Sequence, residues 1–173
     1  MKKLKNIIIG FVGVFLLNVS ANAQVIDPKF EAIFIYNFTK YIEWPRADGH
    51  DEFIIGILGK GDIINEMQLM ATQKSVGNRK IIIKVFANTE NIEHCHLLFI
   101  TNACANQLQV ALQKLAAMNT LFVSESPGLA LKGADINFIS KVNKVQFELN
   151  EKSLESHNLK VSSDLKKFAI LIQ

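Results

Sequence analysis

The chain has 173 residues and a formal charge of +3, from 19 Lys plus Arg against 16 Asp plus Glu. The whole excess lies in Lys2, Lys3 and Lys5, so the remainder balances at zero. A neutral surface excludes nucleic acid as the partner, because phosphate binding needs a surplus of clustered Lys and Arg, and it excludes attachment to acidic lipid by charge alone.

Residues 1–23 read as a signal peptide. The three lysines are followed by an apolar run from Ile7 to Leu17, and Ala21-Asn22-Ala23 forms a small-x-small cleavage pattern with the cut between Ala23 and Gln24. The run is well short of the roughly 20 residues that span a bilayer as a helix. No cysteine follows it, which argues against a lipoprotein. The expected product is a single domain over residues 24–173, exported to the periplasm and not embedded in the membrane. With 49% apolar residues in the whole chain, that length supports a core.

Asp27-Pro28 opens the first helix, an Asx cap followed by proline at the first helical position. Phe30, Ile33, Phe34, Phe38, Tyr41 and Ile42 recur at spacings of three and four and predict one wide buried stripe. Trp44-Pro45 stops this helix. Phe53–Leu58 reads as a buried strand ending in the turn Gly59-Lys60-Gly61, after which Asp62 caps a helix carrying Ile63, Ile64, Met67 and Met70. Strands follow over Lys80–Phe86 and Leu97–Ile100, then a helix over Gln107–Met118 and a short strand at Leu121–Val123. The alternation predicts an α/β fold, a mostly parallel central sheet flanked by helices. The last third changes character. Ile136–Ile139 and Val145–Leu149 each alternate apolar with polar residues around Ser140-Lys141-Val142-Asn143, predicting an antiparallel hairpin of edge strands. Leu154 marks a short helix, and Ser162 caps a last one holding Leu165, Phe168, Ala169 and Ile172.

The chemistry-bearing residues form few constellations. Cys95 and Cys104 are separated by an apolar strand that carries the chain about 16 Å at roughly 3.3 Å per residue. A disulfide needs Cα atoms within about 6.8 Å, so both are expected as unpaired thiols. Gly59-Lys60-Gly61 has the position of a phosphate loop but neither the Walker spacing nor G-x-G-x-x-G. It is a strand-to-helix turn first and a weak candidate ligand loop second, because open parallel sheets bind ligands at strand C-terminal ends. His94 and His96 share a side of their strand with Cys95 opposite, too few ligands for a structural zinc site, and are read as surface imidazoles. No nucleophile elbow or catalytic cysteine neighbourhood is present, so no catalytic residues, cofactor or metal are expected. The aromatic end of the first helix stands out. Tyr41, Trp44 and Pro45, with Lys40 beside them, are candidate partner-binding residues, and Trp44 is open to either a core or an interface role.

The run Phe34-Ile35-Tyr36-Asn37-Phe38-Thr39-Lys40-Tyr41-Ile42-Glu43-Trp44-Pro45, shortly after a signal peptide, resembles the opening signature of the YfiR family. Cys95–Ile100, Thr120–Gly128 with Gly133–Phe138, and Val145–Asn150 with Leu159–Leu165 resemble its later motifs in the same order. The resemblance implies a periplasmic regulator rather than an enzyme. Such a protein binds the periplasmic portion of a membrane diguanylate cyclase and represses it. An outer-membrane peptidoglycan-binding lipoprotein sequesters it, after which cyclic di-GMP and biofilm matrix rise. A homodimer stays open. The better-known members place a cysteine in the strand matching Phe53–Leu58, paired with the counterpart of Cys95. Gly56 stands there in this chain, so that bridge is missing. The rival reading is a periplasmic small-molecule sensing domain that uses the Gly59–Gly61 loop and is coupled to a histidine kinase or transporter.

Overall fold

The computed structural model describes residues 26–45, 51–141 and 144–172. The predicted signal peptide, the Ala23–Gln24 cleavage point expected for it and the predicted Val142-Asn143 turn lie outside the described residues. The first helix, α1 (Pro28–Tyr41), begins as its sequence dictates: Asp27 accepts a hydrogen bond from the Lys29 N–H, and proline occupies the first turn. A two-residue strand, β1 (Ile42–Glu43), follows directly. The next elements are β2 (Glu52–Leu58), α2 (Ile63–Gln73), the short β3 (Ser75–Val76) and β4 (Arg79–Phe86). A 3-10 turn leads to β5 (Leu97–Ile100), and a second runs into α3 (Leu108–Lys114) and β6 (Leu121–Ser124). The chain closes with β7 (Ile136–Lys141), β8 (Lys144–Asn150), α4 (Glu151–Ser156), β9 (Lys160–Val161), α5 (Ser163–Lys166) and β10 (Ile170–Ile172).

Eight strands form one sheet in the order β10-β8-β7-β6-β5-β2-β4-β3, and β1 pairs with β9 in a separate two-stranded ribbon. The contacts β7-β6-β5-β2-β4 are all parallel. β7 and β8 form the antiparallel pair, with Phe138 opposite Phe147. From β2 the chain passes to β4 on one side, then crosses back to β5 on the other and proceeds outward to β6 and β7. The C-terminal ends of β2 and β5 are therefore a topological switch point, where open α/β sheets leave a crevice.

Both faces of the sheet are covered, which is why β2 and β5 read as continuous apolar runs rather than alternating ones. On one face Ile35 and Phe38 of α1 and Met67 of α2 pack on Phe53, Ile55, Ile57, Leu97 and Phe99. On the other, Leu108, Ala111 and Leu115 pack on Ile54, Leu58, Leu98, Ile100 and Phe122.

Five expectations are corrected. The buried column of α1 is Glu31, Ala32, Ile35, Phe38 and Thr39, whereas Phe30, Ile33 and Tyr41 are 53%, 46% and 39% exposed. The helix is apolar around more than half its circumference, and the sheet selects the column through Ile35 and Phe38. That brings Glu31 inward, one turn before Ile35. The α1 helix also ends before Trp44, because Ile42 and Glu43 pair with Val161 and Lys160. Asp62 stands at the start of α2 but makes no side-chain cap, its own backbone being already helical. The predicted Gln107–Met118 helix keeps only Leu108–Lys114. The last predicted helix stops at Lys166, since Ile170–Ile172 bonds in parallel to Glu148–Asn150 and makes β8 an interior strand. A short helix has little stability of its own, and an open strand edge captures the segment.

Candidate functional site

The aromatic corner sits at the N-terminal edge of the parallel strands. Trp44 is half-buried, and its indole N–H donates to the carbonyl of His96 at 3.0 Å. Its ring meets Phe53 edge-on at 5.1 Å. Phe53 in turn stacks on the imidazole of His96 at 4.7 Å, with the Arg79 guanidinium 5.0 Å from its centre. His96 is buried, which corrects the surface role read from the sequence, while His94 is half-buried with its ring 5.0 Å from that of His96. The Nδ1 of His96 accepts the Ile54 N–H at 2.9 Å, and Arg79 Nη1 lies 3.3 Å from its Nε2. The imidazole thereby substitutes for a strand partner at the start of β2. Burial of His96 was hidden because alternation gives a shared side, not which side is covered.

Beyond Trp44 the surface opens. Trp44, Pro45, Glu43, Asn158 and Lys160 line a concavity of about 630 Å³, brought together by the β1–β9 ribbon. Pro45, Glu43, Asn158 and Lys160 are exposed. Tyr41 lies one turn back on α1, and Lys40 sits 4.5 Å over the Tyr36 ring while hydrogen-bonding Asn37. One edge of Trp44 is packed on Phe53, and the residue also borders a surface concavity.

Gly59, Lys60 and Gly61 lie at the opposite, C-terminal edge, on the switch point between β2 and β5. Gly59 is buried with φ +117°, and a Cβ there would lie 2.0 Å from Thr101 Oγ1. The glycine is required for β2 to approach the end of β5. Lys60 and Gly61 are exposed. The same edge holds a carboxyl pair that sequence reasoning missed. Glu31 is only 2% exposed, its Oε1 has no partner, and its side chain hydrogen-bonds that of Glu125. Burial, then the charge of and hydrogen bond with Glu125, then the charge of Asp27 push its carboxyl up to about 8. Two hydrogen-bonded carboxyls need one proton between them. Glu125 also accepts the Asn102 N–H at 2.7 Å, tying the pair to the end of β5. The signal for Glu31 was its register with Ile35 and Phe38.

Cys95 and Cys104 are both buried free thiols. Burial pushes the Cys95 thiol up to about 12, which makes it inert as a nucleophile. A Cβ on Gly56 would stand 3.2 Å from its sulfur, so the two positions face each other across the β2–β5 pair. Among the described residues no group of three or more His, Cys, Asp or Glu is arranged to hold a metal, and no helix is long and apolar enough to cross a membrane.

No curated protein matches the chain. A family model described as YfiR/HmsC-like matches residues 28–170, from the first residue of α1 into β10 and through both edges described above. On that match the chain belongs to the YfiR/HmsC-like family.

Proposed function

We propose that this chain is a periplasmic regulator that binds the periplasmic portion of an inner-membrane diguanylate cyclase and represses it, holding down cyclic di-GMP and biofilm formation. The family match over residues 28–170 carries the reading. The Trp44–Pro45 corner supports a docking point. It offers an anchored indole, an exposed proline and one residue of each charge, Glu43 and Lys160, around one concavity. Tryptophan anchors with a polar rim dominate protein interfaces. Tyr41 and Lys40 extend the surface along α1. An outer-membrane peptidoglycan-binding lipoprotein would compete for the regulator and release the cyclase.

Two measurements test this. Deleting the gene should raise cyclic di-GMP and surface attachment, and unchanged levels would overturn the regulatory reading. For the docking point, Lys160→Glu reverses a charge on the exposed rim without touching the core. Binding to the immobilised periplasmic portion of the cyclase should weaken by about tenfold or more, equivalent to about 1.4 kcal/mol. Unchanged binding would remove the corner from the interface.

A second reading, a small-molecule sensing domain coupled to a histidine kinase or transporter, has its own supporting observation. The unpartnered Oε1 of Glu31 belongs to the carboxyl pair with Glu125, which accepts the Asn102 N–H just after β5. A metabolite that raises the melting temperature, with the rise lost in Glu31→Gln, would favour it.

A further inference from the structure

A second concavity, of about 400 Å³, lies beside α4 and shares no lining residue with the Trp44 corner. Its size is within the range of about 300–1,000 Å³ typical of small-molecule sites. Its wall contains an oriented histidine. Asp135, fully buried just before β7, accepts the Phe122 N–H at 2.7 Å and faces His157 Nδ1 at 2.9 and 3.1 Å through its two oxygens. A nitrogen within reach of both oxygens of one carboxylate carries a proton, so Nδ1 is the donor and the ring is held in one orientation. Phe122 supports the ring at 4.9 Å. The other nitrogen, Nε2, is on the ring edge away from Asp135, and the His157 side chain is 11% exposed.

The remaining lining has a definite chemistry. Lys152 lies one helical turn before Ser156 and supplies an exposed ammonium. Leu112 and Leu131 supply an apolar wall, Leu131 being 73% exposed. Among the described residues no acidic side chain lines the cavity. Asp135 stands behind His157 in the wall, and Glu151 of α4 is engaged by Lys166. An exposed ammonium and an oriented imidazole beside two leucines match a ligand with one anionic head and a short apolar tail.

We propose that this cavity binds a small organic carboxylate, its head group held by Lys152 beside the oriented ring of His157, its tail laid against Leu112 and Leu131. Asp135 is the positioning residue: its contact with Nδ1 fixes the orientation of the His157 ring in the cavity wall.

The test uses the mature protein carrying labelled histidine and leucine, followed by NMR at the His157 Cε1–Hε1 and Leu112 methyl signals. Acetate, butyrate, hexanoate and hexan-1-ol are titrated separately at constant pH. Saturable shifts at both reporters are expected with the acids, tighter with chain length and at least tenfold tighter for hexanoate than for hexan-1-ol. Lys152→Gln, an exposed substitution that leaves the core untouched, should weaken hexanoate about tenfold. Absence of saturation by any acid up to about 50 mM, a dissociation constant far weaker than even the millimolar class, would overturn the assignment. So would equal affinity for hexan-1-ol, or unchanged hexanoate binding in Lys152→Gln.

Discussion

Glu31 shows how one residue can make a fold sensitive to pH. Its native carboxyl is held near 8, whereas the unfolded chain titrates near 4.5. Between those values the native state holds the extra proton, so stability falls as pH rises through this window, and the loss is complete above it. Each unit of difference is worth about 1.4 kcal/mol, before relaxation of the coupled pair. Glu31→Gln keeps a donor for Glu125 and removes the proton. Denaturation at pH 5, 7 and 9 should show the wild type losing stability across the series while the variant stays nearly flat, and the variant should be the more stable at pH 9. Parallel profiles would show that Glu31 does not titrate in this range. Gly56 offers a separate residue-scale test. Sulfur on a Cβ 3.2 Å from Cys95 Sγ is within reach of a bond of about 2.05 Å. The same Cβ would meet Leu98 Cδ1 and Phe86 Cε2 at 2.9 Å. Reduced Gly56→Cys should therefore be destabilised by about 1–3 kcal/mol through overpacking. Oxidation during refolding should close a bridge and restore up to about 4 kcal/mol by chain entropy. Thiol titration in denaturant should then find one free cysteine in the oxidised variant against two in the wild type. Three free thiols would show that the strands do not bring these positions together.

At the scale of elements, α1 carries two apolar columns and only one is committed to the sheet. Phe38 is fully buried and meets Phe138 and Phe147 at 5.7 and 5.1 Å. Phe30, two turns earlier, is half exposed. Phe38→Ala should cost about 3–5 kcal/mol, and Phe30→Ala less than about 1 kcal/mol, both read from urea denaturation midpoints at unchanged slope. Similar costs would mean that both columns are buried. The start of this helix was legible from Asp27-Pro28, because capping is local chemistry. Its buried column was not, because amphipathicity reports a width and leaves the azimuth to the packing partner. The same distinction explains the C-terminal end. Ser162 caps α5, accepting the Leu165 N–H as its type and position indicate. The conversion of Ile170–Ile172 to a strand depended on β8 presenting an unpaired edge, a fact of tertiary arrangement.

Across the whole molecule, the candidate sites divide between the two ends of the parallel strands. The N-terminal edge holds Trp44, His96 and the concavity with Lys160, and the His157–Asp135 pair lies toward the same end on the opposite face from Phe53. The C-terminal edge holds Gly59, Thr101 and the proton-sharing Glu31 and Glu125. Trp44 and Lys160 are far apart in the chain and meet only because a ribbon of two residue pairs joins β1 to β9. His157 and Asp135 meet because α4 folds back beneath the start of β7. By itself the sequence determined the α/β class, the main strands, the helix start at Asp27 and the family signature, since these rest on composition, periodicity and residue order along a contiguous chain. The tertiary structure alone decided which column of α1 is buried, that His96 is internal, that Glu31 shares a proton and that two separate concavities form. Each of these depends on groups distant in sequence sharing one environment, where burial and neighbouring charge outweigh what a residue type does alone.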